Sequence, residues 1–123
     1  MTQDKRFCGR VLVIEDDTEI AEFIAIALQS EGYATKSVTS RDYAAQAIVV
    51  DCYDHILMDL NMPGMEAREF ILNVRRLSPW SKIYLMTASE GIAGRADKLG
   101  LHHFIGKPFD PETLLKTLRG SKQ

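Results

Sequence analysis

A chain of 123 residues, 46% hydrophobic and 26% charged, carries apolar material for one core and not two, so it predicts a single domain over residues 1–123 with its ordered part from about residue 10 to residue 119. Lys and Arg are spread along a chain of net charge −2, which leaves no basic stripe for nucleic acid or an anionic membrane. The polar start from Met1 to Arg10 has no apolar core of a leader and no apolar run approaches ~18 residues, so a cytoplasmic protein is expected, with Cys8 and Cys52 as reduced thiols.

Val11 to Ile14 reads as a buried strand. After the acidic turn Glu15-Asp16-Asp17, Ile20, Phe23, Ile24, Ala27 and Leu28 recur at helical spacing until Gly32 closes the helix. Ala34 to Val38 is a more polar strand suited to a sheet edge, and Arg41 to Val50 a helix with Ala44, Ala47 and Ile48 on one face. Ile56 to Met58 and Ile83 to Met86 are short apolar runs of the kind shown by strands covered on both sides, and Phe70, Ile71, Val74 and Leu77 stripe a helix between them. Between Ser89 and Gly100 the apolar stripe thins to Ile92, Ala96 and Leu99 around Gly91 and Gly94. An interior Gly costs ~1 kcal/mol relative to Ala, so this fourth helix is expected to be the most mobile. A last short strand near His103 to Ile105 precedes Asp110-Pro111, an Asp cap and a Pro at the first helical position, which start a helix carrying Leu114, Leu115 and Leu118.

Five alternating strand and helix units predict an α/β domain with a doubly wound parallel sheet, flavodoxin-like in its strand order 2-1-3-4-5. The crevice of such a sheet opens at the carboxyl ends of its strands, at the switch point between the first and third. Glu15, Asp16 and Asp17 follow the first strand and Asp59 the third, which gathers negative charge at that place. Like charges at short range are unfavourable unless compensated. Lys107, after the apolar pair Phe104-Ile105, is one compensator, and a hard divalent cation such as Mg²⁺ is another.

Val-Leu-Val-Ile-Glu15-Asp16-Asp17, Ile-Leu-Met-Asp59-Leu-Asn-Met-Pro-Gly, Leu-Met-Thr87-Ala and Ile-Gly-Lys107-Pro-Phe, in this order, closely resemble the receiver domain of two-component response regulators, from about Arg10 to Leu118. Each piece falls at the end of a predicted strand, which a chance match would not require. The resemblance implies a phosphorylation-activated switch with no turnover of an external substrate. Asp59 would be the phosphoacceptor, taking a phosphoryl group from a sensor histidine kinase or a phosphotransfer protein. Mg²⁺ would be held by Asp16, Asp59 and the Asn61 carbonyl, with Glu15 acting largely through water. Lys107 would pair with Asp59 or its phosphate, and its bond to Pro108 would be cis. Thr87 and Phe104 would form the switch pair, the hydroxyl drawing its loop inward and the ring moving from an exposed to a buried rotamer; ordinary core packing is an equal reading of Phe104. Asn61 and Ser89 lie where the family tunes dephosphorylation.

Asp17 matches no duty of the family and reads as a first-turn acid favoured by the helix dipole. The family commonly has Asp-Gly where this chain has Glu66-Ala67, which removes a residue suited to positive φ. The Gly100 to Lys107 stretch is not a phosphate-binding P-loop, because five residues separate its glycines and Pro108 follows the Lys. His55, His102 and His103 read as strand-edge residues and not a zinc site, and Met58, Met62, Met65 and Met86 as core and loop filling. Ile26 lies off the apolar face of its helix, where it is available to a kinase helix. An aspartyl phosphohydrolase would want a second Asp where Asn61 stands, and a flavin carrier a hydroxyl-rich loop where the acids stand. A pseudo-receiver acting only through protein contacts is the alternative. The sequence ends just after the fifth helix, which leaves open a single-domain regulator, an excised receiver relaying through its fourth helix, fifth strand and fifth helix to an effector domain, and a phosphorylation-linked dimer.

Overall fold

The computed structural model describes residues 9–120 apart from Pro63 and Ser89, so Cys8 and Ser89 lie outside the described residues. The elements run β1 (Arg10–Ile14), α1 (Thr18–Gln29), β2 (Ala34–Val38), α2 (Arg41–Val50), β3 (His55–Asp59), α3 (Ala67–Leu77), β4 (Lys82–Thr87), α4 (Ile92–Lys98), β5 (His103–Gly106) and α5 (Pro111–Gly120). The sheet is parallel throughout, in the order β2-β1-β3-β4-β5.

Alternation along the strands divides the interior into two layers. Leu12, Ile14, Ile56, Met58, Ile83 and Leu85 face α2, α3 and α4, where Ala44, Ala47, Ile48, Phe70, Ile71, Val74 and Ala96 meet them. Val11, Val13, Leu57, Tyr84, Met86 and Ile105 face the other way, against Ile24, Ala27 and Leu28 of α1 and Leu114 and Leu118 of α5. Strands covered on both sides have no polar face, which explains the apolar runs of β1, β3 and β4, whereas β2 at the edge leaves Ala34, Lys36 and Ser37 exposed and buries Val38 alone. Each fully buried Leu, Ile or Met side chain contributes about 1.5–3 kcal/mol by leaving water. Because α1 lies on one face and α2 on the other, the chain switches direction between β1 and β3, and their carboxyl ends border an open crevice.

The Asp-Pro helix start is as expected. Asp110 caps α5, its Oδ1 accepting from the Thr113 amide at 2.7 Å, with Pro111 as the first helical residue. That bond holds the Asp110 carboxyl below the usual aspartate pKa. Helix α4 is the shortest of the described helices, buries Ala96 alone and starts at Gly91 without a side-chain cap. Met58 and Met86 are core residues, Met62 and Met65 pack partly buried against one core layer, and Cys52 is a free thiol. No helix among the described residues is long and apolar enough to cross a membrane.

Other expectations are corrected. Asp17 stands one position before the first turn, as the N-cap of α1, accepting from the amides of Glu19 and Ile20 at 3.0 and 3.2 Å. Phe23 and Leu77 are exposed at the margins of their stripes, Phe23 lying tilted against Phe109 with ring centroids 6.3 Å apart. His55 is no edge residue: it is buried on a central strand, with Nδ1 2.8 Å from the Tyr84 hydroxyl and Tyr33 edge-on to its ring.

Candidate functional site

Four strand ends, those of β1, β3, β4 and β5, assemble the site. Glu15 leaves β1 with its amide donating to the Val38 carbonyl at 3.0 Å, which fixes its backbone beside β2 and turns its carboxylate inward, where it is buried. Asp16 follows, exposed at the mouth. Asp59 is the last residue of β3 and is 6% exposed. One carboxylate oxygen from each of Glu15, Asp16 and Asp59 lies within 4.8 Å of the others. Three hard oxygen donors at this separation suit an oxygen-loving divalent cation such as Mg²⁺.

Lys107 enters from the far side. Its amide donates to the Thr87 carbonyl at 2.9 Å, the peptide to Pro108 is cis, and Nζ donates to Glu15 Oε1 at 2.6 Å and Asp59 Oδ2 at 2.9 Å. The resemblance implies an Asp59 partner; the structure adds Glu15. The Asn61 amide donates to the remaining oxygen, Asp59 Oδ1, at 3.1 Å. Thr87 ends β4, buried, beside Gly106 of β5. Phe104 lies on β5 and is 40% exposed, so it is not the core residue that one reading of it allowed. Ile26 is exposed on α1, as its place off the apolar face implied.

The charges are interdependent. Burial raises the Glu15 carboxyl above the usual glutamate pKa, against the lowering effect of the Lys107 and Asp17 contacts, and the Asp59 charge pushes the same way as burial. Burial also works to lower the Lys107 ammonium, but hydrogen bonds to Glu15 and Asp59 and the charges of both outweigh it and hold Lys107 above the usual lysine pKa. Lys107 is therefore a firm cation inside a surplus of negative charge. The arrangement offers a carboxylate at Asp59, a fixed positive group beside it, and oxygen donors for a second cation.

Sequence reasoning missed one residue here. Arg41, the first residue of α2, is 3% exposed, with Nη1 donating to the Met65 carbonyl at 2.9 Å and Nη2 to those of Asp59 and Leu60 at 3.1 and 2.6 Å. Burial lowers its pKa from the usual value, and the Asp59 charge opposes this. A signal was present: a cation in the first turn of a helix opposes the dipole, so Arg41 invited another explanation.

A family model described as the response regulator receiver domain matches residues 11–119. The transcriptional regulatory protein TcrA of Mycobacterium tuberculosis is 31% identical over 121 residues, covering 93% of this chain and 48% of that protein. BasR of Escherichia coli is 29% identical over 112 residues, covering 89% and 50%. The chain thus spans about half the length of the curated relatives it matches. The chemotaxis response regulator CheY4 of Vibrio cholerae superposes with a TM-score of 0.83 at 29% identity, covering 93% of this chain and 98% of that one. The beryllofluoride-activated NtrC4 receiver domain dimer gives a TM-score of 0.82 at 30% identity, covering 92% and 95%.

Proposed function

The chain belongs to the response regulator receiver domain family, whose members are signalling switches and not turnover enzymes on external substrates, and from that premise we propose that Asp59 is the phosphoacceptor of a Mg²⁺-dependent switch. The observation that carries the reading is the Lys107 ammonium bridging Glu15 and Asp59 inside the acidic crevice. Phosphoryl transfer asks a protein mainly for positioning and charge neutralisation, and these groups supply both.

The donor is a phosphohistidine of a sensor kinase or phosphotransfer protein. An Asp59 carboxylate oxygen attacks phosphorus, an O–P bond forms as the N–P bond breaks, and the imidazole leaves with the electron pair and is protonated from solvent. Lys107 neutralises charge on the phosphoryl oxygens, and the Asn61 amide orients the carboxylate. Mg²⁺, held by Glu15, Asp16, Asp59 and the Asn61 carbonyl, would supply further neutralisation of those oxygens. Thr87 then acts as a donor to the phosphoryl group and Phe104, half exposed on β5, as the ring that changes rotamer, so phosphorylation biases a two-state surface.

A groove of about 460 Å³ beside Lys107, lined by Ile20, Phe23, Pro108 and Phe109, supports docking of the donor next to Asp59. The NtrC4 receiver dimer supports a phosphorylation-linked dimer. The half-length match to transcriptional regulators supports relay to an effector domain, and in this reading the chain is a single receiver domain that works in the cytoplasm. The test is intact-protein mass after acetyl phosphate with Mg²⁺ or with EDTA, on the wild type and Asp59→Asn. A metal-dependent phosphoryl adduct absent from the variant is expected; no adduct in the wild type leaves a pseudo-receiver that works through contacts alone.

A further inference from the structure

The segment from Leu60 to Glu66 carries Asn61 past the crevice, and the start of α2 grips it at both ends. At its entry Arg41 Nη2 donates to the Asp59 and Leu60 carbonyls, and at its exit Nη1 donates to the Met65 carbonyl. Asp42 completes the grip, its Oδ2 accepting from the Met65 amide at 3.1 Å. Glu66, the N-cap of α3, makes no side-chain cap bond, though its carbonyl accepts from the Phe70 amide at 3.0 Å, so the charged side chains that hold Met65 come from α2. Three charge-assisted bonds from one planar, buried guanidinium define an orientation that a point charge cannot.

We propose that Arg41 is a positioning residue for the metal and phosphoryl chemistry at Asp59, setting the direction in which the chain enters Asn61 and so the placement of the Asn61 carbonyl and amide; this rests on the reading of Asp59 and Mg²⁺ given above. Its charge alone predicts the opposite effect. Arg41⁺ lies against the backbone of Asp59, and a positive group there repels a second cation, so deleting only a charge would tighten Mg²⁺ binding. Deleting an orienting partner weakens it, typically by about 10–100-fold for groups that support metal ligands.

The test is Mg²⁺ titration calorimetry and urea unfolding on the wild type, Arg41→Met and Arg41→Lys, with the Mg²⁺ concentration for half-maximal phosphorylation by acetyl phosphate as a second readout. Arg41→Met is expected to raise the Mg²⁺ Kd and the half-maximal concentration together by about tenfold or more, and Arg41→Lys, which keeps the charge but not the fork, by an intermediate factor. Folded variants that bind Mg²⁺ as the wild type does, or more tightly, overturn the role of Arg41 while the Asp59 reading stands. Failure of both variants to fold makes Arg41 a structural residue and also overturns it. A wild type that binds no Mg²⁺ overturns the reading of the site itself.

Discussion

Lys107 Nζ stands 2.6 Å from Glu15 Oε1, a contact between residues 92 positions apart that follow β5 and β1, two strands that are not neighbours in the sheet. The ammonium spans the crevice above β3 and β4 and touches Asp59 on the way. A single cation thus ties together carboxylates whose mutual repulsion would otherwise oppose the fold.

Stability should therefore depend on pH in a way that Lys107→Met changes. The folded pKa of Lys107 is raised, so its contribution is complete below the ordinary value of 10.5 and is lost as pH rises beyond it through the folded value. In Lys107→Met, Glu15 loses contacts that lower its already raised pKa. A carboxyl with a raised folded pKa favours the fold when protonated, so stability falls as pH rises from 4.5 through the folded value. Urea midpoints should show the variant weaker than the wild type by about 2 kcal/mol near neutrality and closer to it in mild acid. An equal deficit at both would show that the ion pairs are not the cause.

The same substitution should tighten divalent cation binding. Lys107 and a metal compete for the oxygens of Glu15 and Asp59, and removing the ammonium removes both the competitor and a repulsive charge. Calorimetry should give a Mg²⁺ Kd several-fold lower for Lys107→Met, while acetyl phosphate labels it more slowly. Weaker Mg²⁺ binding would mean that Lys107 organises the metal ligands and does not compete for them.

Gly64 sits at φ +96 in the segment beside the site, and a Cβ there would clash with Asp42 Oδ2. The carboxylate can swing away, but it then gives up the Met65 amide, and the left-handed backbone remains strained for a side chain. Gly64→Ala should cost about 1–3 kcal/mol in urea unfolding. A loss below about 0.5 kcal/mol would mean that the segment relaxes without resistance.

Helix α4 should open before the others. It buries one residue, and Gly94 lies in its interior at ordinary φ with open space where a Cβ would stand. Gly94→Ala should gain about 0.5–1 kcal/mol and slow amide exchange across α4, whose wild-type amides should exchange faster than those of the other helices. Unchanged exchange in the variant would place the weakness in the packing of α4 and not in its backbone.

Most of the architecture was legible locally. Apolar runs covered on both sides, a polar edge strand and an Asp-Pro helix start are written in neighbouring residues, because periodicity and capping act over a few positions. Strict alternation and crossover handedness leave few strand orders, the polar β2 favours an edge, and the order 2-1-3-4-5 among them brings Glu15, Asp16, Asp59 and Lys107 to one edge. Tertiary structure alone decided what each charge touches. Arg41 reads only as the start of a helix, and it is buried because α2 packs its first turn over the end of β3, where backbone carbonyls await donors. His55 reads as an edge residue, and it is buried because Tyr33 and Tyr84 flank it from other elements. Such partners lie tens of residues away in the chain, so their identity depends on how the layers pack, which no local pattern encodes.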